Sequence, residues 1–344
     1  MEYNIPELQN WLASENINFI NNFDLSKRSW IKSGGTIRTF IKPKNLNEIK
    51  KLLNYFHKNN INYYIIGNIS NTILRDGEII TPFINLGLFN KIKKLKNKNG
   101  LHIFVGSGVS IPVFSKYIVN QGYSGTEGLF GIPGSVGGGI FMNASSFGDN
   151  LTNNIHKILS IDLDKNLKIV KKEDVNFSWR SSEFQKNKNL IIGAYFYFSN
   201  RQIKEKKIID NKLNKLLNLR NKFQEKNFPN LGSLFATKNL YSDIKFTSLN
   251  FFLLFILNKL INFIFFKNFF YIYLQNIRNL ITKLYIKNLR IDKNSEFTLS
   301  NKTINCLVNK GSAESRNGIN LIRQFQKKTK YKVKLENIIL DKIL

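Results

Sequence analysis

A glycine-rich stretch between positions 122 and 148 limits what this chain can fold into more than any other feature of its 344 residues. Its nine glycines are Gly122, Gly125, Gly128, Gly131, Gly134, Gly137, Gly138, Gly139 and Gly148. Each glycine destabilises a helix or strand by about 0.5–1 kcal/mol relative to alanine, so we expect no regular helix or strand here. Backbone N–H groups of such turns can cradle a pyrophosphate, although ordinary turns also use glycine.

Short strands and amphipathic helices alternate along the rest of the chain. Periods of two and 3.6 residues mark these elements. The clearest are strands at 36–43 and 190–198 and helices at 45–59, 204–224 and 316–329. This pattern predicts an α+β fold, and the length allows two or three domains.

Charge alone does not identify a partner. The chain has 52 Lys and Arg against 23 Asp and Glu, a formal net charge of +29. This excess could attract nucleic acid or steer a phosphate-bearing small molecule. The cations are spread along the whole length, which favours lysines on solvated faces, so we expect no nucleic-acid partner.

Cysteine and histidine usage argues against a disulfide or a metal site. Cys306 is the single cysteine, and His57, His102 and His156 are far apart without metal-ligand spacing. The first residues also lack a basic segment followed by an apolar core, so we expect no secretory signal. A reducing, cytoplasmic location is the natural expectation.

Residues 251–274 are dense in Phe, Ile and Leu. A membrane-spanning helix needs about 20 predominantly apolar residues, whereas polar residues interrupt this stretch about every four positions. We therefore predict an amphipathic helical pair that packs on the protein or lies on a membrane surface. Residues 250–275 are a candidate contact for a membrane or another protein.

The glycine-rich stretch also resembles a known motif. Residues 125–144 read GTEGLFGIPGSVGGGIFMNA. This segment closely resembles the pyrophosphate- and flavin-binding loop of the UDP-N-acetylenolpyruvoylglucosamine reductases. The resemblance implies the vanillyl-alcohol-oxidase-type FAD-binding fold, with two α+β flavin subdomains and a smaller α+β substrate domain. It assigns FAD binding to Gly131, Ile132, Pro133, Gly134, Ser135, Gly137, Gly138 and Asn143.

A second cofactor loop is expected at residues 67–71, which read GNISN where the family has GGGSN. The resemblance assigns cofactor contacts to Gly67, Asn68, Ser70 and Asn71. Asparagine tolerates left-handed backbone, whereas a β-branched isoleucine at position 69 disfavours it. We therefore expect a reshaped loop or weaker FAD binding. Residues 106–108, GSG, match a shorter family motif at a strand end.

Three residues match the positions that carry the reaction in this family. Arg180 lies in FSWRSSEF at 177–184, and the resemblance implies that it contacts the substrate carboxylate. Ser233 in NLGSLF falls on the proton-donating serine, and Glu336 in KLEN falls on the catalytic glutamate. Departures from the family at Ala236, Thr237 and Thr303 imply an altered substrate affinity or selectivity.

The resemblance implies NADPH- and FAD-dependent reduction of UDP-N-acetylglucosamine enolpyruvate to UDP-N-acetylmuramate, by a monomer, in peptidoglycan synthesis. We expect flavin-binding parts at 1–64 and 65–203, and a substrate domain at 204–344 with an insertion at about 240–280. Two alternatives remain open. One is an FAD oxidoreductase of this fold with another substrate. The other is a decayed, non-catalytic paralogue that binds a membrane or a partner.

Overall fold

The computed structural model describes residues 3–96, 99–162, 164–187, 189–265, 271–290 and 296–343. Its helices are α1 (Ile5–Ser14), α2 (Leu25–Arg28), α3 (Leu46–Lys58), α4 (Ile111–Asn120), α5 (Val136–Phe141), α6 (Phe184–Asn187), α7 (Lys206–Phe223), α8 (Leu240–Ile244), α9 (Leu249–Phe265), α10 (Tyr271–Leu289) and α11 (Ser315–Lys328).

The strands of the first half are β1 (Phe19–Asp24), β2 (Thr36–Ile41), β3 (Tyr64–Ile65), β4 (Thr72–Leu74), β5 (Glu78–Ile79), β6 (Phe83–Ile84), β7 (Ile92–Leu95), β8 (Leu101–Gly106), β9 (Ser145–Ser146) and β10 (Asp149–Asn150). Those of the second half are β11 (Ile155–Ile161), β12 (Leu167–Lys171), β13 (Phe177–Ser178), β14 (Ser181–Ser182), β15 (Leu190–Phe198), β16 (Phe297–Ser300), β17 (Thr303–Asn309) and β18 (Ile338–Leu340).

The first sheet has the order β1-β2-β6-β3, with β5 also paired to β2. Helix α3 packs against this sheet, and its cap and its apolar face are both visible in the sequence. Asn45 caps the helix by accepting a hydrogen bond from Glu48 N at 3.0 Å. The apolar face of α3 is buried through Ile49, Leu52, Leu53 and Phe56. The predicted helix at 45–59 is confirmed.

The second sheet has the antiparallel order β12-β11-β15-β8-β7. Its inner face buries Ile103, Ile158 and Phe196 against α4 and α5. The predicted strand at 190–198 coincides with β15. Because α5 packs on the inner strands β15 and β8, residues 136–141 of the glycine-rich stretch lie against the face of this sheet.

The prediction of no regular helix in the glycine-rich stretch is wrong. Residues 136–141 form α5, which Ser135 caps by accepting a hydrogen bond from Gly138 N at 3.3 Å. Packing explains this helix. A Cβ atom on Gly139 would lie 2.4 Å from Leu151 Cδ2, so close contact with Leu151 requires glycine there. Burial of Val136 and Ile140 offsets the low helix propensity of glycine.

The C-terminal part contains the β16–β17 hairpin and helices α8 to α11 around a core with Phe235, Tyr285 and Phe325. The predicted helices at 204–224 and 316–329 are confirmed as α7 and α11. Strand β18 does not pair with the β16–β17 hairpin. It pairs in parallel with β4, with Ile338 opposite Thr72. The predicted domain boundaries stay predictions.

Of the amphipathic helical pair predicted at 251–274, the first helix is α9. The second helix, α10, begins only at Tyr271 and continues to Leu289, and residues 266–270 lie outside the described residues. Over the described ranges, no helix is both long and apolar enough to cross a membrane.

Candidate active site

Residues 67–71 form a loop between β3 and β4 with an uncommon backbone conformation. Ile69 has a φ of +53°, in the left-handed region that β-branched residues disfavour. Its side chain is only 4% exposed and packs in a core with Ile66 and Phe83. The strain of about 1–2 kcal/mol is offset by the roughly 1.5–3 kcal/mol that full burial of isoleucine contributes. Ile69 therefore adopts the left-handed backbone that isoleucine disfavours, and the expected reshaping of the loop or weaker FAD binding stays a prediction.

A second segment, at the start of α5, faces this loop. A Cβ atom on Gly134 would lie 3.4 Å from Ser70 Oγ, and one on Gly67 would lie 3.1 Å from Ser135 Oγ. The two segments thus approach each other with glycine on one side and a serine hydroxyl on the other.

Several backbone amides of the two facing segments lack a protein partner. Within the described residues, the N–H groups of Asn68, Ile69, Ser70, Gly134 and Ser135 donate no hydrogen bond to the protein. Unpaired N–H groups are costly unless water or a ligand satisfies them, and several in succession favour an anion. We call residues 67–70 together with 134–135 the amide cradle.

The 106–109 turn holds one side of the amide cradle in place. Gly137 N donates to Ser107 O at 2.9 Å, and Val136 N donates to Val109 O at 2.8 Å. The Ser107 hydroxyl is buried without a hydrogen-bond partner in the described part of the chain. Such a group favours a ligand that supplies the missing partner.

Arg180 lies at the tip of the β13–β14 hairpin, with a φ of +55°. Two hydrogen bonds attach this hairpin to the end of α5. Ser182 Oγ donates to Phe141 O at 2.7 Å, and Asn143 Nδ2 donates to Ser178 O at 2.7 Å. The glycine-rich stretch therefore positions the hairpin that carries Arg180.

Arg180 and Glu336 form a shielded charge pair. Arg180 Nε lies 3.0 Å from Glu336 Oε1, and the side chains are 18% and 13% exposed. Nε has no well-aligned hydrogen-bond acceptor among the described residues, so the contact is mainly Coulombic. Burial raises the pKa of Glu336, while the Arg180 charge opposes that rise.

Ser233 lies in a segment that pairs with residues 334–336. Ala236 N donates to Lys334 O and Glu336 N donates to Leu234 O, both at 2.9 Å. Asn337 Nδ2 also donates to Ser233 O at 3.3 Å. These bonds place Ser233, which is exposed, beside the segment of Glu336.

Asn71 connects the amide cradle to the Glu336 segment. Its Nδ2 donates to Glu336 O at 3.1 Å, and its Oδ1 accepts a hydrogen bond from Asn337 Nδ2 at 2.6 Å. Ile338 N donates to Asn71 O at 2.9 Å. The structure therefore brings the predicted cofactor loop and the predicted catalytic residues into one site.

Comparisons with known proteins show which family the chain resembles. Residues 37–164 match the sequence profile of a family described as an FAD binding domain. The UDP-N-acetylenolpyruvoylglucosamine reductase of Orientia tsutsugamushi is 32% identical over 238 residues, which cover 67% of this chain and 75% of the relative. The enzyme of the same name from Listeria innocua is 31% identical over 214 residues, which cover 62% of this chain and 70% of the relative. The chain belongs to the UDP-N-acetylenolpyruvoylglucosamine reductase family.

A solved structure extends this family likeness to the fold. The UDP-N-acetylenolpyruvylglucosamine reductase of Thermus caldophilus matches 94% of this chain and 98% of its own, with a TM-score of 0.66 at 18% identity. The predicted α+β FAD-binding fold is confirmed.

The amide cradle fits the FAD of this reductase family, because its free amides and the Ser107 hydroxyl can satisfy an anionic pyrophosphate. Some predicted ligand residues have protein partners instead. Asn143 donates to Ser178 O and accepts from Thr152 Oγ1 at 2.8 Å. Ile132 packs against the core between the second sheet and helices α4 and α5. The individual cofactor contacts, including that of the half-buried Pro133, stay predictions.

Two of the residues that differ from the reductase family, Thr303 and Thr237, form hydrogen bonds within the protein. Thr303 Oγ1 accepts a hydrogen bond from Asn305 N at 3.1 Å, and Thr237 Oγ1 bonds with Asp243. The effect of Ala236, Thr237 and Thr303 on substrate binding stays a prediction. Among the described residues, no group of three His, Cys, Asp or Glu could hold a metal.

The sequence did not reveal two residues that shape this site. Arg220 on α7 is 7% exposed and donates to Gly131 O at 2.9 Å and Ser146 Oγ at 2.7 Å. Asn305 accepts from Phe235 N at 2.7 Å and so fixes the segment of Ser233. Arg220 is one of several cations on a basic helix, and nothing in that pattern distinguishes the buried one.

Proposed function

We propose that this chain catalyses the NADPH-dependent reduction of UDP-N-acetylglucosamine enolpyruvate to UDP-N-acetylmuramate, with FAD as its cofactor. The observation that carries the proposal is the bonding of Asn71 to Glu336 and Asn337. It joins a cradle suited to a pyrophosphate with the Arg180–Glu336 pair. When bound, FAD supplies the capacity to take hydride from NADPH and deliver it to C3 of the enolpyruvyl ether.

Arg180 would bind the substrate carboxylate. As negative charge develops on C2 and that carboxylate, a fixed guanidinium stabilises it electrostatically. The pairing with Glu336 at 3.0 Å holds the guanidinium near the site before substrate arrives. A preorganised charge needs little rearrangement during the reaction, which favours turnover.

Ser233 would donate the proton that C2 requires after hydride reaches C3. Its exposed position allows solvent to restore the proton. Glu336 would assist as a polarising or acid/base partner: burial raises its pKa, and the Arg180 charge opposes that rise.

We also propose a cytoplasmic monomer that acts in peptidoglycan precursor synthesis and thereby in cell wall biogenesis, cell shape and cell division. Both substrates carry phosphates, and the net charge of +29 favours their recruitment.

The decisive experiment follows flavin absorbance in the purified protein. We expect yellow protein, bleaching on addition of NADPH, and recovery on addition of the enolpyruvyl UDP-sugar. A colourless preparation that takes up no added FAD would support the decayed paralogue. Bleaching without recovery would support an oxidoreductase with another substrate.

The variant Ser233→Ala separates the two half-reactions. We expect NADPH to bleach its flavin at the normal rate, while the substrate restores the absorbance at least about 100-fold more slowly. The exposed Ser14 at the end of α1 supplies the matched control, Ser14→Ala, which should behave as wild type. Unchanged recovery in Ser233→Ala would remove Ser233 from the mechanism.

A further inference from the structure

The outer face of α9 is an apolar stripe that the described parts of the chain leave exposed. Helix α9 is rich in Phe, Leu and Ile, and its inner face buries Phe251. The exposed residues recur at positions i, i+4, i+7, i+8 and i+11, which is one face of a helix. They are Leu249, Leu253, Ile256, Leu257 and Leu260, between 39% and 72% exposed.

Phe246 extends this stripe at the start of α9. It is 76% exposed and stacks on Phe252, with ring centroids 5.7 Å apart. We call Phe246 and the five residues of α9 the leucine stripe. Contiguous exposed apolar surface of this kind marks contact with another surface, since a monomer gains nothing from hydrating it.

Cations border the leucine stripe. Lys245 Nζ lies 4.8 Å from the ring centre of Phe246 and 5.1 Å from that of Phe255. Lys259 Nζ lies 5.2 Å from the ring centre of Phe255. Both ammonium groups are therefore placed at the edge of the apolar surface, as expected for helices at a lipid headgroup boundary.

The wider segment has a one-sided charge. Residues 244–290 contain seven Lys and Arg and no Asp or Glu. The exposed residues Lys283 and Lys287 of α10, and Arg290 directly after it, add to the positive surface. Such a segment is complementary to a negatively charged surface, and an exposed helix face with cationic borders matches an anionic bilayer.

We propose that the leucine stripe docks this protein on the surface of an anionic lipid bilayer, with α9 lying in the interface. Over the described ranges no helix can cross a membrane, so the contact is peripheral. Apolar side chains enter the headgroup region while Lys245 and Lys259 meet lipid phosphates. This docking does not depend on the proposed reaction.

The test is flotation of the full-length protein with vesicles. We expect binding to phosphatidylcholine vesicles that contain about 30% phosphatidylglycerol, and at least about tenfold weaker binding to pure phosphatidylcholine. The double variant Leu253→Glu/Leu257→Glu should bind the anionic vesicles at least about tenfold more weakly than wild type. NADPH-dependent flavin bleaching should be unchanged.

A matched control is Val113→Glu/Ile169→Glu, which changes the net charge equally at positions 56% and 58% exposed. This control should bind within about twofold of wild type. If Leu253→Glu/Leu257→Glu does not fold, Phe246→Glu replaces it, because that residue lies outside the helix.

Four results would overturn the proposal: no flotation of wild type, equal binding to both vesicle types, equal loss in the control, or unchanged binding of the stripe variants. A dimer in solution that Leu253→Glu/Leu257→Glu converts to a monomer, without vesicle binding, would instead assign the leucine stripe to a second copy of the chain.

Discussion

The two chain segments that contribute to the amide cradle keep their backbone conformations by opposite means. The glycine-rich half of this pair, residues 131–139, lacks side chains where other protein atoms approach: a Cβ on Gly131 would lie 2.2 Å from Arg220 Nε. The other half, residues 67–70, keeps left-handed backbone at Ile69 by burying that side chain. Glycine in a ligand-binding loop can therefore serve the packing of the protein, and a branched residue can replace it where burial offsets the strain.

We expect Arg220→Met to have the largest effect on stability, because Arg220 bonds to the backbone of the glycine-rich stretch. The variant leaves the carbonyls of Gly128 and Gly131 without their donor, so we expect a loss of about 3–5 kcal/mol. Urea unfolding measures it. The control Arg316→Met removes an exposed pair and should cost less than about 0.5 kcal/mol. Equal losses would contradict the comparison.

Ile69→Ala and Ile69→Gly test the other half. Alanine loses the buried side chain and keeps the strained backbone, so we expect a loss of about 2–4 kcal/mol. Glycine loses the same contacts but relieves about 1–2 kcal/mol of strain. Thermal unfolding should therefore rank glycine as the more stable variant. The opposite order would show that burial does not hold a strained residue here.

Gly139→Ala and Gly138→Ala separate packing from ligand contact within α5. A Cβ at position 139 would lie 2.4 Å from Leu151 Cδ2, so we expect a loss of about 1–3 kcal/mol. A Cβ at position 138 would lie 3.5 Å from Ser135 Oγ, an ordinary contact. Gly138→Ala should fold at least as well as wild type but bind FAD more weakly. Flavin titration beside urea unfolding distinguishes the two.

Glu127→Gln gives the smallest expected effect and depends on pH. Burial raises the pKa of Glu127, but hydrogen bonds from Lys212 and the Gly125 amide outweigh it and hold that pKa below its ordinary value of 4.5. Its stabilisation is therefore complete above about pH 4.5 and lost as the pH falls through the lower folded-state value. We expect Glu127→Gln to lose about 1–2 kcal/mol at neutral pH, and less at about pH 3. A pH-independent difference would contradict this.

Local signals in the sequence predicted more of the fold than of the site. The Asn45 cap and the apolar period of residues 49–56 were sufficient for α3, because that helix depends on neighbours in sequence. The glycine pattern predicted a cofactor loop. It missed α5, since the stabilisation of that helix comes from packing against Leu151 and the second sheet.

The contacts that complete the site join distant parts of the chain. Asn71 and Asn337 are 266 positions apart, and Arg180 meets Glu336 only in the folded protein. The family resemblance named Arg180, Ser233 and Glu336. The periodicity of the sequence does not indicate the Asn71–Asn337 hydrogen bond or the burial of Arg220, because both depend on tertiary structure.

The parallel pairing of β4 with β18 sets an order of assembly. A ribosome releases residues 72–74 long before residues 338–340 exist, so the nascent loop at 67–71 waits without the bonds that Asn71 later makes. A flavin that binds during synthesis would therefore contact a site that still lacks the Glu336 segment. When β18 pairs with β4, Glu336 is therefore brought to the site at the same time.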